Sequence, residues 1–124
     1  MQRPGNELLV ISARPETGAI LGEMLTGSAW NVRPVHTNRE GLALLSAGHV
    51  PVVISECGAA GGDWRCLLEH MQKLPRAPQL IVTAQETNDR LWAEVLNLGG
   101  YDVLAQPFDK TEVTRVLAAA ARVI

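Results

Sequence analysis

Short apolar runs alternate with longer stretches of helical period along the whole chain. Leu8-Leu9-Val10-Ile11 is the first run, too short for a lone helix and bounded by polar residues, so it predicts a buried strand. Pro15 suits the first turn of the helix that follows, with Ile20, Leu21, Met24 and Leu25 on one face and Gly27-Ser28 as its stop. In Trp30 to His36, Trp30 and Val32 alternate with polar neighbours, and Pro34 cannot donate to a ladder. That pattern predicts an edge strand.

Thr37-Asn38-Arg39-Glu40 has capping-box spacing and opens a helix carrying Leu42, Leu44 and Leu45. Pro51 to Ile54 is a third strand, and Asp63 caps a third helix with Leu67, Leu68 and Met71 at core spacing. Gln79 to Thr83 is the fourth strand. Thr87 or Asn88 starts a helix with Leu91, Val95 and Leu98 on one face, and Gly99-Gly100 ends it. Tyr101 to Ala105 is the fifth strand, and Asp109 caps a last helix built on Val113, Val116, Leu117, Ala120 and Ile124. Five apolar strands alternating with five helices call for a parallel sheet covered on both faces, a three-layer α/β sandwich. No linker, repeat or low-complexity stretch interrupts the 124 residues, so one domain, 1–124, is expected.

Composition narrows the function classes. A net charge of −2 gives no general nucleic-acid footprint, and no apolar run is long enough to span a bilayer. The start, Met1 to Gly5, lacks the apolar region of a signal peptide. Cys57 and Cys66 are too few for a disulfide framework, which suits reduced thiols and a cytoplasmic location. His36, His49 and His70 show no paired metal-ligand spacing. The glycine-rich stretch Gly58 to Gly62 lacks the Gly-Lys-Ser/Thr ending of a phosphate-binding loop.

Ligands of an open parallel sheet meet the crevice outside the carboxyl ends of its strands. Those ends carry Ser12-Ala13, Glu56, Thr83-Ala84 and Gln106-Pro107-Phe108. Glu56 is the single carboxylate among them.

The ordered set of motifs resembles the receiver domains of bacterial response regulators, the CheY-like family. Gly99 to Asp109, Gly-Gly-Tyr-Asp-Val-Leu-Ala-Gln-Pro-Phe-Asp, resembles that family's last strand and Lys-Pro-Phe signature. Thr83-Ala84 matches its Thr/Ser-Ala, and Asp63 follows Glu56 at the spacing that separates the family's phospho-acceptor Asp from an acidic residue opening helix three. The resemblance implies a flavodoxin-like/CheY-like (βα)5 fold with strand order 2-1-3-4-5. It also implies a cis Gln106-Pro107 bond.

Position by position, the resemblance implies a site stripped of its chemistry. The paired metal-binding acids are Ser12 and Ala13, the phospho-acceptor is Glu56, the lysine is Gln106 and the aromatic switch is Val103; only Thr83 is kept. In the following loop Ala60 stands where the family has proline. Mg²⁺ needs several oxygen ligands, so its binding is expected to be lost. Glu56 then stands for a phosphorylated Asp, its charge set farther out toward Thr83, or is a solvated strand-end residue without a switching role.

The expected function is that of a pseudo-receiver in two-component signal transduction, not an enzyme. It works by protein contact through the face of the fourth helix, fifth strand and fifth helix, where Trp92, Val103 and Ala118 offer apolar surface. A homodimer through that face is one option, and neither nucleic acid nor membrane is contacted directly. Two alternatives remain open. One is a small ligand-binding or enzymatic domain on a flavodoxin-like sheet. The other is the receiver portion of a longer regulator or hybrid kinase.

Overall fold

A computed structural model describes residues 6–57 and 63–122. The Gly58 to Gly62 loop, with Ala60, and Ile124 of the expected last helix lie outside the described residues. The elements are β1 (Asn6–Ile11), α1 (Pro15–Met24), β2 (Trp30–Val35), α2 (Asn38–Ala47), β3 (Val52–Glu56), α3 (Trp64–Met71), β4 (Gln79–Ala84), α4 (Asp89–Leu98), β5 (Asp102–Ala105) and α5 (Lys110–Arg122). All strand pairs are parallel and the order is β2-β1-β3-β4-β5. This is the expected CheY-like, flavodoxin-like topology, with Pro34 on the edge strand.

The central runs are continuously apolar because both faces of the sheet are covered. Leu8, Val10, Val52, Ile54, Ile81 and Leu104 pack under α1 and α5, against Leu21, Val113, Val116 and Leu117. Leu9, Ile11, Val53, Leu80, Val82 and Val103 face the other way, toward Leu45, Leu67, Leu68, Met71 and Val95 of α2, α3 and α4. Successive strand side chains alternate between the two cores.

Local chemistry sets the helix ends. Thr37 accepts from the Glu40 N–H at 3.1 Å, while the Glu40 carboxylate reaches back to the His36 N–H. Asp63, Asn88 and Asp109 accept from the N–H groups of Arg65, Leu91 and Glu112. Gly99, at φ 106°, turns the chain out of α4 in a conformation that favours glycine. The Gln106-Pro107 bond is cis.

Three expected packing positions differ. Ile20 and Leu98 are 46% and 47% exposed, and Val103 is buried. In α1 the buried stripe is Thr17, Gly18 and Leu21, continued by Leu25, which leaves Ile20 on the flank. Leu98 is the last residue of α4, beyond the turn that Val95 anchors. Val103 points into the core beneath α4, so it adds nothing to the exposed apolar surface.

Candidate functional site at the strand ends

Strand register assembles the site. Ile11 is level with Ser55, and Glu56 is level with Thr83, so Ser12 comes alongside Glu56 at the carboxyl edge. Ala84 pairs with Ala105, which sets Gln106 one step further on, its N–H held by the Ala84 carbonyl at 3.1 Å. Three of the strand-end residues singled out in the sequence therefore meet Glu56 or its immediate partner. Ala13 does not join them; it is exposed.

Glu56 is 4% exposed, so it is not the solvated strand-end residue that one expectation held it to be. Burying an unpartnered carboxylate would be strongly unfavourable, and four side chains prevent that. Oε1 accepts from the hydroxyls of Ser12 and Thr17, the latter at 2.7 Å. Oε2 accepts from Arg14 Nη1 at 3.2 Å and from Gln106 Nε2 at 3.1 Å. Burial by itself pushes the Glu56 carboxyl up. The bonds from Ser12, Thr17 and Gln106, with the Arg14 charge, outweigh it and hold the group below its ordinary value.

Thr83 is fully buried and turned away from the carboxylate. Its hydroxyl donates to the Leu104 carbonyl at 2.8 Å and accepts from Gln106 Nε2 at 3.3 Å. Gln106 thus stands between Glu56 and Thr83, and the negative charge is directed at Ser12, Thr17 and Arg14 instead.

Arg14 and Thr17 escape a search confined to strand ends, because they enter from the start of α1. Pro15 at the first helical position fixes the backbone there, and Arg14 is the N-cap residue. The Ser12 hydroxyl accepts from the Arg14 N–H at 2.9 Å and pins this corner to the pocket. Thr17 carries a signal that was available: it lies four residues before Leu21, on the stripe that Leu21 and Leu25 continue. A hydroxyl on a buried stripe needs a partner, and the partner is Glu56.

The donor set does not fit Mg²⁺. It offers one carboxylate, already paired with a guanidinium, beside a hydroxyl bonded to that same carboxylate and an alanine. Among the described residues no group of three or more His, Cys, Asp or Glu side chains is placed to hold a metal ion. Asp63 caps α3, and Cys57 and Cys66 are free thiols. The surface residues divide: Trp92 is 39% exposed and Ala118 is exposed, whereas Val103 is buried.

No family model matches the chain, and no curated protein matches it. Solved structures do. The signal receiver domain of an HD domain-containing protein from Pseudomonas fluorescens Pf-5 superposes with a TM-score of 0.84 at 21% identity, covering 98% of this chain and 90% of that one. The chemotaxis response regulator CheY4 of Vibrio cholerae gives 0.82 at 15% identity, with 94% and 98% covered. The receiver domain of a signal transduction histidine kinase from Syntrophus aciditrophicus gives 0.81 at 17%, with 97% and 92% covered. The chain has the fold of response-regulator receiver domains.

Proposed function

We propose that the protein is a receiver-like module of two-component signalling that acts by protein contact, without Mg²⁺-dependent phosphorylation at residue 56. The observation that carries this reading is the occupancy of Glu56: both carboxylate oxygens are engaged by Ser12, Thr17, Arg14 and Gln106. Neither oxygen is free for in-line attack on a phosphodonor, and a glutamate is one methylene longer than the family's acceptor. Without a metal, the charge on a transferred phosphoryl group would also lack its main counter-charge.

The same occupancy argues against a small enzyme or cofactor binder on this sheet. Among the described residues the crevice is filled by the protein's own hydrogen bonds. The carboxylate that meets the Ser12 and Thr17 hydroxyls is held below its ordinary value, which makes it a weak general base. Contact falls to the surface. Trp92 and Leu96, 39% and 49% exposed and one turn apart on α4, offer apolar area, and Ala118 is exposed on α5. No helix among the described residues is long and apolar enough to cross a membrane. Receiver domains attached to an HD domain-containing protein and to a histidine kinase share the fold, which supports a module working alongside a separate output or kinase unit.

Incubation with acetyl phosphate and Mg²⁺, followed by intact mass, tests the reading. The expected spectrum is unchanged. A stable adduct that needs Mg²⁺ and disappears in Glu56→Gln would overturn it.

A further inference from the structure

Two clefts lie at the opposite end of the sheet from Glu56, on either side of the turn that joins α2 to β3. One, of about 350 Å³, opens between the C-terminal half of α2 and the start of β1 and β2. Leu9, Leu44, Ala47 and Val50 line it, with Glu7 and Arg33 as its charged members. Its size falls in the range of small-molecule sites, and its walls are mainly apolar. Gly41 helps to create it. A Cβ at that position would come within 2.5 Å of Ile11 Cδ1, so α2 sits close on the sheet there, and its far end overhangs the cleft.

Two features give the cleft a charge preference. Glu7 Oε2 is buried and has no hydrogen-bond partner among the described residues. Arg33 Nη1 is 3.8 Å away, beyond hydrogen-bond length, on a side chain that is 55% exposed. The second feature is the end of α2. Gly48 leaves the helix fully extended, at φ −159°, and its N–H makes no capping bond among the described residues. No basic residue lies in the last turn, so the negative end of the helix dipole is left at the cleft. His49, on the same turn, is the remaining titratable group in the lining.

We propose that this cleft binds a small organic cation: a primary amine on an aromatic or branched aliphatic body. The body fills the space between Leu9, Leu44 and Val50, and the ammonium donates to Glu7 Oε2, displacing the loosely held Arg33. The site is independent of the Glu56 pocket and of any reading of phosphotransfer.

An amide-shift titration of the whole chain with phenethylamine tests it, with 2-phenylethanol and phenylacetate as neutral and anionic controls of the same shape. Saturable shifts of Glu7 and of residues 44–50 at millimolar amine are expected, with the alcohol at least tenfold weaker. Glu7→Gln should weaken the amine about tenfold and leave the alcohol unchanged. Gly48→Phe provides a second variant, since a Cβ there meets nothing within 4 Å and the extended backbone suits any residue. It should fill the cleft and abolish binding. Equal affinity for amine and alcohol, no effect of Glu7→Gln, or no saturable shift at this turn would each overturn the proposal.

Discussion

Arg14 Nη1 lies 3.2 Å from Oε2 of Glu56, joining a guanidinium that is 37% exposed to a carboxylate that is 3% exposed. The charge reaches the pocket from the corner before α1, where Ser12, Ala13, Thr83 and Gln106 supply none. It meets the same carboxylate oxygen that accepts from Gln106 Nε2. The pair is a direct contact between β3 and the corner that opens α1.

Replacing Arg14 with Met should therefore cost stability, though not as much as breaking a fully buried pair. Solvent screens the exposed guanidinium, and three neutral hydrogen bonds remain on Glu56. A loss of about 1 kcal/mol is expected. Urea unfolding at pH 7 measures it, and the loss should shrink at high salt less than that of an exposed pair.

The lowered Glu56 carboxyl makes stability depend on pH with a definite sign. A depressed folded value means that the unfolded state binds the proton more readily. The stabilisation is complete above the unfolded carboxyl value of about 4.3 and is lost as the pH falls through the lower folded value. Glu56→Gln removes the titration. The variant should be less stable than the wild type by about 2 kcal/mol at pH 7, and the gap should narrow below about pH 4. Equal gaps at pH 7 and pH 3 would contradict the assignment.

The fold was legible because its signals are redundant. Leu8 to Ile11 and Val52 to Ile54 are apolar on both faces, Pro34 marks the edge, and Thr37, Asp63 and Asp109 each open a helix. The pocket was legible only in its strand-borne half. Ser12, Thr83 and Gln106 follow from parallel register, but Arg14 and Thr17 come from the first turn of α1, whose lean over the sheet is a tertiary fact. Without those two donors, a buried Glu56 looks too unfavourable, which is why solvation was a natural expectation. Ile20 and Leu98 show the same limit from the apolar side. Helical spacing identifies a stripe, whereas the neighbouring sheet decides how wide a stripe it covers.

Thr17 separates a hydrogen-bonding role from mere filling. It is 1% exposed, and its hydroxyl donates to Glu56 Oε1 at 2.7 Å. Thr17→Val keeps the shape and removes the donor, at a cost of about 2 kcal/mol at neutral pH. Thr17→Ser keeps the donor and loses a buried methyl group, at about 1 kcal/mol. The valine penalty should fall on acidification, as Glu56 becomes neutral, and the serine penalty should not. Thermal or urea melts at pH 7 and pH 3 distinguish the two.

Glu56→Asp should not restore phosphorylation. Shortening the side chain withdraws it from Thr17 and Arg14 but supplies neither the missing carboxylates at residues 12 and 13 nor a lysine at 106. Mg²⁺ would still meet a single acid. Intact mass after acetyl phosphate treatment should match the untreated variant. Only with Ser12→Asp, Ala13→Asp and Gln106→Lys added should an Mg²⁺-dependent adduct accumulate.

Two glycines one turn apart on α1 should respond in opposite directions to the same substitution. A Cβ on Gly18 would lie 2.7 Å from Pro34 Cβ, and the proline ring cannot swing aside as a long side chain can. Helix α1 and the edge strand would have to separate, so Gly18→Ala should destabilise by about 1–3 kcal/mol. A Cβ on Gly22 meets nothing within 4 Å, and the residue is helical. There the gain in helix propensity acts unopposed, and Gly22→Ala should stabilise by about 0.5–1 kcal/mol. The sign difference, read from urea midpoints, tests whether the approach of α1 to β2 is as close as the Gly18–Pro34 contact requires. Destabilisation by Gly22→Ala, or tolerance of Gly18→Ala, would mean that α1 packs elsewhere, and the positions of Arg14 and Thr17 over Glu56 would fall with it.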